Sequence, residues 1–222
     1  IGKNNTAFYY SNISGYNLVA LDINSGKIKW QKPILSWGSA LNNIAIDSNG
    51  ELVCSFKGTN DDALKMHRVN PANGEILWTS SAKSSGWTKW VGANGNIYES
   101  EYGIVEFDRQ TGEKKKIVSA EIGALGEHNR FVGAYNDNRT RKFGIFNPDG
   151  TKALDAEMFN LFGNEILISN EHIVYGIINQ SSPSRIPKTI VAIQGNTGLA
   201  KSGWPRHAKD NRNTSNIDKT DF

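Results

Sequence analysis

A short turn phrase recurs along the chain and constrains its fold more than any other feature. Its best copy, residues 20–30, reads Ala-Leu-Asp-Ile-Asn-Ser-Gly-Lys-Ile-Lys-Trp. Counted between the turn glycines, the copies lie 48, 38, 38 and 48 residues apart, and each interval is long enough for four short strands with their turns. The array consists of Asp22, Gly26 and Trp30; Asn70, Gly74 and Trp78; Asp108 and Gly112; Asn147 and Gly150; Gly198; and Trp204.

The segments between the turns have the pattern of β-strands. Runs such as residues 51–56, 130–135 and 172–178 alternate or are wholly apolar, which is typical of strands covered on both faces. A second set of Asn- and Gly-rich turns lies upstream of each later copy, and no run has the period of an amphipathic helix. The sequence therefore predicts an all-β fold, a β-propeller of about five four-stranded blades. A β-sandwich is the alternative, but it would not explain one phrase at near-constant spacing.

The whole chain, residues 1–222, is predicted to form one domain. Its first unit lacks an innermost strand, because residues 1–10 correspond to the second strand of a blade. Either the C-terminal closing segment, residues 205–222, supplies that strand and removes an exposed sheet edge, or the chain is an incomplete part of a larger propeller. The expected blade-like units are residues 1–36, 37–82, 83–120, 121–158 and 159–204.

Charge and cysteine content bear on the partners and on disulfide formation, and they do not separate a cytosolic protein from an envelope protein. The net charge is only +3, and 25 basic residues are scattered among 22 acidic ones, so no nucleic-acid partner is expected. The one basic run, residues 114–116, falls where an outer strand is expected and reads as a solvated edge. Cys54 is alone and can form no intrachain disulfide, and no apolar run is long enough for a transmembrane segment. Because the chain begins at Ile1 without a signal-peptide pattern, we expect a mature product that has lost any targeting segment.

Residues 20–30 closely resemble the Ala-x-Asp-x-x-Thr-Gly-x-x-x-Trp signature of PQQ-like, or quinoprotein-type, β-propeller repeats. Residues 203–214 resemble a Trp-Pro-x-x-x-x-Asp-x-x-x-Thr segment found at the ends of such propellers. The resemblance implies that the motif Trp packs against the neighbouring blade, while the Asp and Gly shape the turn. Lys116 and Leu154 stand at the equivalent places in later units, and Trp204 lies two residues beyond its expected place. The later blades therefore need other docking contacts.

The resemblance also suggests a PQQ-dependent dehydrogenase, which the residues do not support. Such enzymes need a general-base Asp, calcium ligands and a vicinal Cys pair or an equivalent clamp, and the single Cys54 excludes the pair. Residues 22–26 and 47–50 read as tight turns rather than calcium loops, since no bidentate acid follows at the required place. The histidines lie far apart, without the spacing of a local metal site: His67, His128, His172 and His207. We expect no enzyme, no cofactor and no metal.

An aromatic cluster is the best functional clue in the sequence. Trp37, Trp87 and Trp90 lie outside the docking phrase, on predicted first strands nearest the central channel, with Lys89 beside them. Such rings could form a platform that stacks sugars or anchors a peptide, or they could fill space between blades.

The sequence thus favours a non-enzymatic binding or scaffold propeller with a protein partner. A carbohydrate-binding propeller using Trp37, Trp87 and Trp90 is the alternative, and a PQQ-dependent dehydrogenase comes third. By family resemblance alone, the expected location is secreted, periplasmic or on the bacterial cell surface. The sequence leaves the oligomeric state open.

Overall fold

The computed structural model describes residues 2–37, 44–47, 49–85, 89–100, 103–137, 140–156, 166–169, 171–178 and 189–197. These residues form strands joined by turns, with one short 3-10 turn at Glu127–Asn129. The strands are β1 (Thr6–Ser11), β2 (Asn17–Asp22), β3 (Ile28–Pro33), β4 (Ser36–Trp37), β5 (Ile44–Ile46), β6 (Leu52–Lys57), β7 (Lys65–Val69), β8 (Ile76–Lys83), β9 (Lys89–Val91), β10 (Ile97–Ser100), β11 (Ile104–Phe107), β12 (Lys114–Val118), β13 (Glu121–Gly126), β14 (Arg130–Asp137), β15 (Thr140–Phe146), β16 (Lys152–Ala156), β17 (Leu167–Ile168), β18 (Ile173–Ile178) and β19 (Thr189–Gln194).

The strands form five antiparallel sheets that follow one another along the chain. In the third and fourth sheets the chain meanders from one edge to the other, through β9 to β12 and through β13 to β16. First strands of successive sheets lie side by side, because β5 contacts β9 and β13 contacts β17. The chain is a β-propeller, as the repeat spacing predicts.

Three sheets depart from the simple four-stranded pattern. In the second sheet, β4 and β5 both pair with β6 and share the innermost position. The first sheet has three described strands, and an isolated bridge between Gly2 and Thr6 is the described pairing at the inner edge of β1. The fifth sheet also has three described strands. Gly198, Trp204 and the predicted closing segment lie outside the described residues, so the closure of the ring and the exact unit bounds stay predictions.

Each turn of the recurring phrase is built by local hydrogen bonds of its first residue. The Gly26 N–H donates to the Asp22 carbonyl at 2.8 Å, and the Ser25 N–H donates to the Asp22 carboxylate at 2.8 Å. Gly26 has a φ of +67°, which glycine adopts without strain. Asn70 and Asp108 organise their turns in the same way, whereas the turn at Asn147 is one residue shorter.

The hydrophobic core lies between the sheets. One cluster joins the first three sheets and runs from Leu18 to Phe107. A second joins the third and fourth sheets, where the rings of Tyr98 and Phe131 meet edge to face at 5.0 Å. A third joins the fourth and fifth sheets. Inner sheets are therefore buried on both faces, which explains their wholly apolar strand sequences.

Candidate binding surface

The aromatic cluster expected from the sequence is not assembled into a surface by the described residues. Trp90 is only 2% exposed and packs beside Tyr98 between the third and fourth sheets. It fills space between blades, and a ligand cannot reach it there. Trp37 lies on β4, but its side chain and the whole of Trp87 fall outside the described part of the chain. A glycan platform stays a prediction for those two residues.

Lys89, the fourth member of that cluster, is held in a buried ion pair. Its Nζ lies 3.2 Å from Oε1 of Glu99, and both side chains have no exposed surface. Glu99 also accepts hydrogen bonds from the Ser84 hydroxyl at 2.6 Å and the Ser85 N–H at 3.0 Å. Burial lowers the pKa of Lys89, and the charge of Glu99 opposes that shift. The ammonium group of Lys89 is therefore bound inside the protein, and it is not available to a ligand.

His67 is likewise an interior residue. Its ring stacks on Phe56 with centroids 3.7 Å apart, and Nε2 donates to the Phe56 carbonyl at 3.0 Å. The Thr79 hydroxyl then donates to Nδ1 at 3.0 Å. Burial lowers the pKa of His67 to about 4, so the ring is neutral at neutral pH. In the described part of the chain, no three His, Cys, Asp or Glu side chains cluster closely enough to hold a metal.

Trp30 of the first sheet binds the turn of the second sheet. Its Nε1 donates to the Pro71 carbonyl at 2.9 Å. Its ring covers Gly74, where an added Cβ would lie 2.8 Å from Cε3 of the indole. Glycine is therefore required there by the close approach of the ring as well as by its φ of +74°.

Trp78 repeats this contact between the second and third sheets. Its Nε1 donates to the Arg109 carbonyl at 2.8 Å, and an added Cβ at Gly112 would lie 2.7 Å from the indole. We call this arrangement an indole socket: a turn glycine under the ring, and the carbonyl of the residue that follows the turn's Asp or Asn. Pro71 and Arg109 hold that place in their turns.

The junction between the third and fourth sheets has no indole in its socket. Lys116 occupies the equivalent position and is exposed. Gly150 instead lies against the backbone of β12, where an added Cβ would be 2.8 Å from the Ile117 carbonyl oxygen. Trp90 and Tyr98 provide the apolar contacts at this junction, from another part of the third sheet.

The first sheet carries an indole socket that no described residue fills. An added Cβ at Gly26 would meet no atom of the described chain within 4 Å. Gly26 is exposed, whereas Gly74 and Gly112 are buried. We call this site the open socket; it consists of the Ile23 carbonyl, Gly26, Lys27 and Ile28.

Large apolar side chains are exposed mainly around this first sheet. Ile23 at the open socket is 44% exposed and Ile28 is 55% exposed, while Ile76, the counterpart of Ile28, packs against the core. Among the described residues, all the exposed large apolar side chains except Leu77 fall between positions 9 and 35: Tyr9, Ile13, Tyr16, Ile23, Ile28 and Leu35. We call these six the first-sheet apolar residues. They lie at both ends of the first sheet, since Ile13 and Tyr16 precede β2 whereas Ile23 and Ile28 follow it.

The open socket could be found in the sequence only by comparing copies of the phrase. Lys27 stands where the other two full turns have Glu75 and Glu113. The structure confirms the equivalence, because each of these three residues accepts a hydrogen bond through its carbonyl from the N–H of the turn's Asp or Asn. The exposure of Ile23 and Ile28 has no signal in the sequence, since it depends on which sheet lies alongside.

Comparisons with solved structures find β-propeller proteins at low sequence identity. BamB from Moraxella catarrhalis matches at 16% identity with a TM-score of 0.44, over 80% of this chain and 68% of BamB. The Dos1 propeller matches at 14% identity with a TM-score of 0.48, over 80% of this chain and 50% of its own. Dipeptidyl peptidase 4 from Porphyromonas gingivalis matches at 13% identity with a TM-score of 0.43, over 79% of this chain and 28% of its own. The chain thus spans half or less of the last two proteins, and likeness at this level bears on fold alone.

No protein-family model matches the chain, and no curated protein matches it. Its resemblance to PQQ-like repeats therefore stays a prediction. None of the helical structure in the described part of the chain has the length and apolar character needed to cross a membrane.

Proposed function

We propose that the chain is a non-enzymatic propeller that acts as a scaffold for protein–protein interaction. The observation that carries this proposal is the concentration of exposed large apolar side chains around the first sheet. Ile13 is 80% exposed at a loop, and Tyr16 and Leu35 lie close together because the Ile34 N–H donates to the Tyr16 carbonyl at 3.0 Å. Exposed apolar groups gain free energy when a partner removes them from water, at about 25 cal/mol per Å².

The use of ionisable side chains in the interior also supports a binding role. Both ring nitrogens of His67 make internal hydrogen bonds, and Lys89 is paired with Glu99. Neither is positioned to exchange a proton with a bound substrate. These are the histidine and lysine that burial perturbs most clearly, and structural pairing accounts for both.

The location that accompanies this proposal is the cell envelope or the extracellular space. It rests on the resemblance of residues 20–30 to PQQ-like repeats. Fractionation of the source cells, with detection by an antibody against the chain, tests it. We expect the protein in envelope or secreted fractions, and a purely cytoplasmic signal would contradict the location without touching the scaffold role.

Site-specific photocrosslinking tests the scaffold role. We would place a benzophenone amino acid at Ile13 or Ile28, irradiate the protein in an extract of the source cells, and compare adducts with those from Gln110, an exposed position in the third sheet. We expect a small set of discrete protein adducts from the first-sheet positions and few from Gln110. Equal adduct patterns at all three positions would count against a first-sheet interaction surface.

A further inference from the structure

We infer that Asn73 is a site of spontaneous deamidation, and that the docking of Trp30 controls its reactivity. Asparagine is a thermally labile residue, and a glycine after it places no side chain in the way of the reaction. The chain contains three Asn-Gly dipeptides, at residues 49–50, 73–74 and 94–95. Among their glycines, only Gly74 is covered by an aromatic ring, that of Trp30. The inference does not depend on the proposed scaffold function.

The side chain of Asn73 is held close to the main chain that follows it. Its Oδ1 accepts a hydrogen bond from the Glu75 N–H at 3.0 Å, and its Nδ2 lies 3.5 Å from Oε2 of Glu75. In such an Asx turn the side chain folds back over the next peptide unit, which contains the Gly74 nitrogen. The hydrogen bond to Oδ1 also draws electron density from the carboxamide carbon. That carbon, the electrophile of the reaction, is therefore both close to its nucleophile and activated.

The Gly74 nitrogen, which is the nucleophile, is blocked while Trp30 is docked. Its N–H donates to the Asn70 carbonyl at 2.9 Å. Gly74 is buried although Asn73 is exposed, because the indole lies over the glycine and donates to the Pro71 carbonyl at 2.9 Å. Attack requires the Gly74 nitrogen to give up its proton to water or hydroxide. The reaction therefore proceeds from the state in which the indole has left and the turn has opened.

The other two Asn-Gly turns have covers of a different kind. At Gly50 an added Cβ would meet only the Lys3 side chain within 4 Å, with its nearest atom at 3.8 Å. Gly95 is covered by the guanidinium group of Arg109, which belongs to another turn of the same sheet. The undocking of Trp30 does not uncover either glycine, and the two turns therefore serve as internal references for Asn73.

The reaction exchanges the side-chain amide for a new link to the main chain. A bond forms between the Gly74 nitrogen and Cγ of Asn73, and the bond from Cγ to Nδ2 breaks. Nδ2 leaves as ammonia, with a proton that replaces the one given up by the Gly74 nitrogen. Water then opens the succinimide ring at either carbonyl. Opening at one carbonyl yields aspartate, and opening at the other yields isoaspartate, in which the side-chain methylene has entered the main chain.

Isoaspartate at position 73 would prevent Trp30 from docking again. The socket needs Gly74 and the Pro71 carbonyl in a fixed relation, since the indole covers the glycine and donates to the carbonyl. An added methylene in the main chain just before Gly74 changes that relation, and the new carboxylate adds a negative charge beside Glu75. One opening event is thereby converted into a permanent loosening between the first and second sheets.

Peptide mapping of the full chain, aged in mildly alkaline buffer, tests the inference. Mass spectrometry follows the exchange of NH for O at each Asn-Gly dipeptide, and an isoaspartyl methyltransferase labels the isoaspartate. In the native protein we expect Asn73 to react more slowly than Asn49, whereas in the urea-unfolded chain the two should react at similar rates. Trp30→Ala should raise the rate at Asn73 about tenfold relative to Asn49, because the rate follows the population of the open turn.

Two further variants separate the docking of Trp30 from general effects on the fold. Trp30→Phe keeps a ring over Gly74 and loses only the hydrogen bond, so its rate at Asn73 should lie between those of the wild type and Trp30→Ala. Trp78→Ala empties the socket of the third sheet, where Thr111 precedes the turn glycine, and should leave the ratio of the Asn73 and Asn49 rates unchanged. In NMR spectra of the aged protein, the indole N–H signal of Trp30 should shift in the isoaspartate fraction and stay in place in the unreacted fraction.

Several results would overturn the inference. A native Asn73 that reacts as fast as Asn49 would show that docking gives no protection. If Trp30→Ala raises all the rates alike, that variant has lost its fold and Trp30→Phe decides: a selective rise at Asn73 supports the inference, and an unchanged ratio to Asn49 rejects it. An indole N–H signal of Trp30 that keeps its native position in the isoaspartate fraction would contradict the permanent loosening.

Discussion

Burial sets the protonation state of His67. The ring is enclosed by Phe56 and by two internal hydrogen bonds, and a charged imidazolium would lose its hydration there. Asp61, at 3.4 Å from Nε2, offsets only part of that cost. The folded protein therefore holds the neutral ring while the unfolded chain titrates normally.

This difference predicts a loss of stability in mild acid. The pKa of His67 is about 4 when folded, against 6.5 for the unperturbed side chain, so only the unfolded chain gains the proton between these values. The contribution of His67 is fully present above pH 6.5 and is lost as the pH falls towards 4, by about 3 kcal/mol at the limit. Urea unfolding across this range measures it. His67→Gln should remove the excess pH dependence, while His172→Gln, at an exposed position, should retain it; equal slopes in all three proteins would contradict the assignment.

The buried charges of Lys89 and Glu99 are also compensated inside the protein. Desolvating two charges costs several kcal/mol per ion unless geometry and hydrogen bonds compensate. Here the carboxylate receives the ammonium group, the Ser84 hydroxyl and the Ser85 N–H. A ligand cannot reach either charge, because the ammonium and carboxylate groups bind each other and both side chains are fully buried.

At the scale of structural elements, the recurring turn has two functions. Its Asp or Asn closes the hairpin, and its exposed side offers a glycine and a carbonyl to the tryptophan of the preceding sheet. The intact phrase therefore contains both halves of a junction: a socket for the sheet before and an indole for the sheet after. Trp30 and Trp78 complete two such junctions.

Substitution of Trp78 should separate its hydrogen bond from its packing. Trp78→Ala removes the ring from the Gly112 socket and should cost about 3 kcal/mol, near the lower limit for a buried tryptophan because the ring is only partly buried. Trp78→Phe keeps most of the cover but loses the bond to the Arg109 carbonyl, at a cost of about 1 kcal/mol. Urea unfolding compares the two, with Leu77→Ala as the exposed control. A Phe variant as unstable as the Ala variant would mean that the ring itself contributes little.

The turns and the register could be predicted from sequence because their chemistry is local. Asp22 and Gly26 lie within one hairpin, and the phrase carries all the atoms that the turn needs. Space filling between blades was one of the two roles that the sequence allowed for Trp90, and the structure has that role. Its particular partners could not be predicted, since the local sequence specifies neither Tyr98 nor the neighbouring sheet as its contact. Glu99 was missed for the same reason: within its strand it reads as an ordinary alternating position. The open socket needed both sources, the repeat for its backbone and the structure for its exposure.

At the scale of the whole molecule, the core is a series of junctions. The cluster at the first three sheets, the cluster between the third and fourth, and the cluster between the fourth and fifth each join only neighbouring sheets. Such an arrangement resembles repeat proteins, in which stability is a sum of units and nearest-neighbour interfaces. The junction between the third and fourth sheets is where the docking Trp is replaced by Lys116, so its cohesion depends on the second cluster.

Weakening that cluster should therefore uncouple two parts of the molecule. Tyr98→Ala removes the ring that meets Phe131 across the junction and should destabilise the fourth and fifth sheets first. Four of the six tryptophans, Trp30, Trp37, Trp78 and Trp90, lie on strands of the first three sheets, while the described strands of the fourth and fifth sheets contain none. Tryptophan fluorescence thus reports mainly on the first three sheets, whereas far-UV circular dichroism reports on all five.

In urea we expect Tyr98→Ala to lower the unfolding midpoint measured by circular dichroism more than the midpoint measured by fluorescence. Tyr9→Ala, an exposed control, should not separate the two midpoints, and equal falls in Tyr98→Ala would show that all five sheets unfold as one unit.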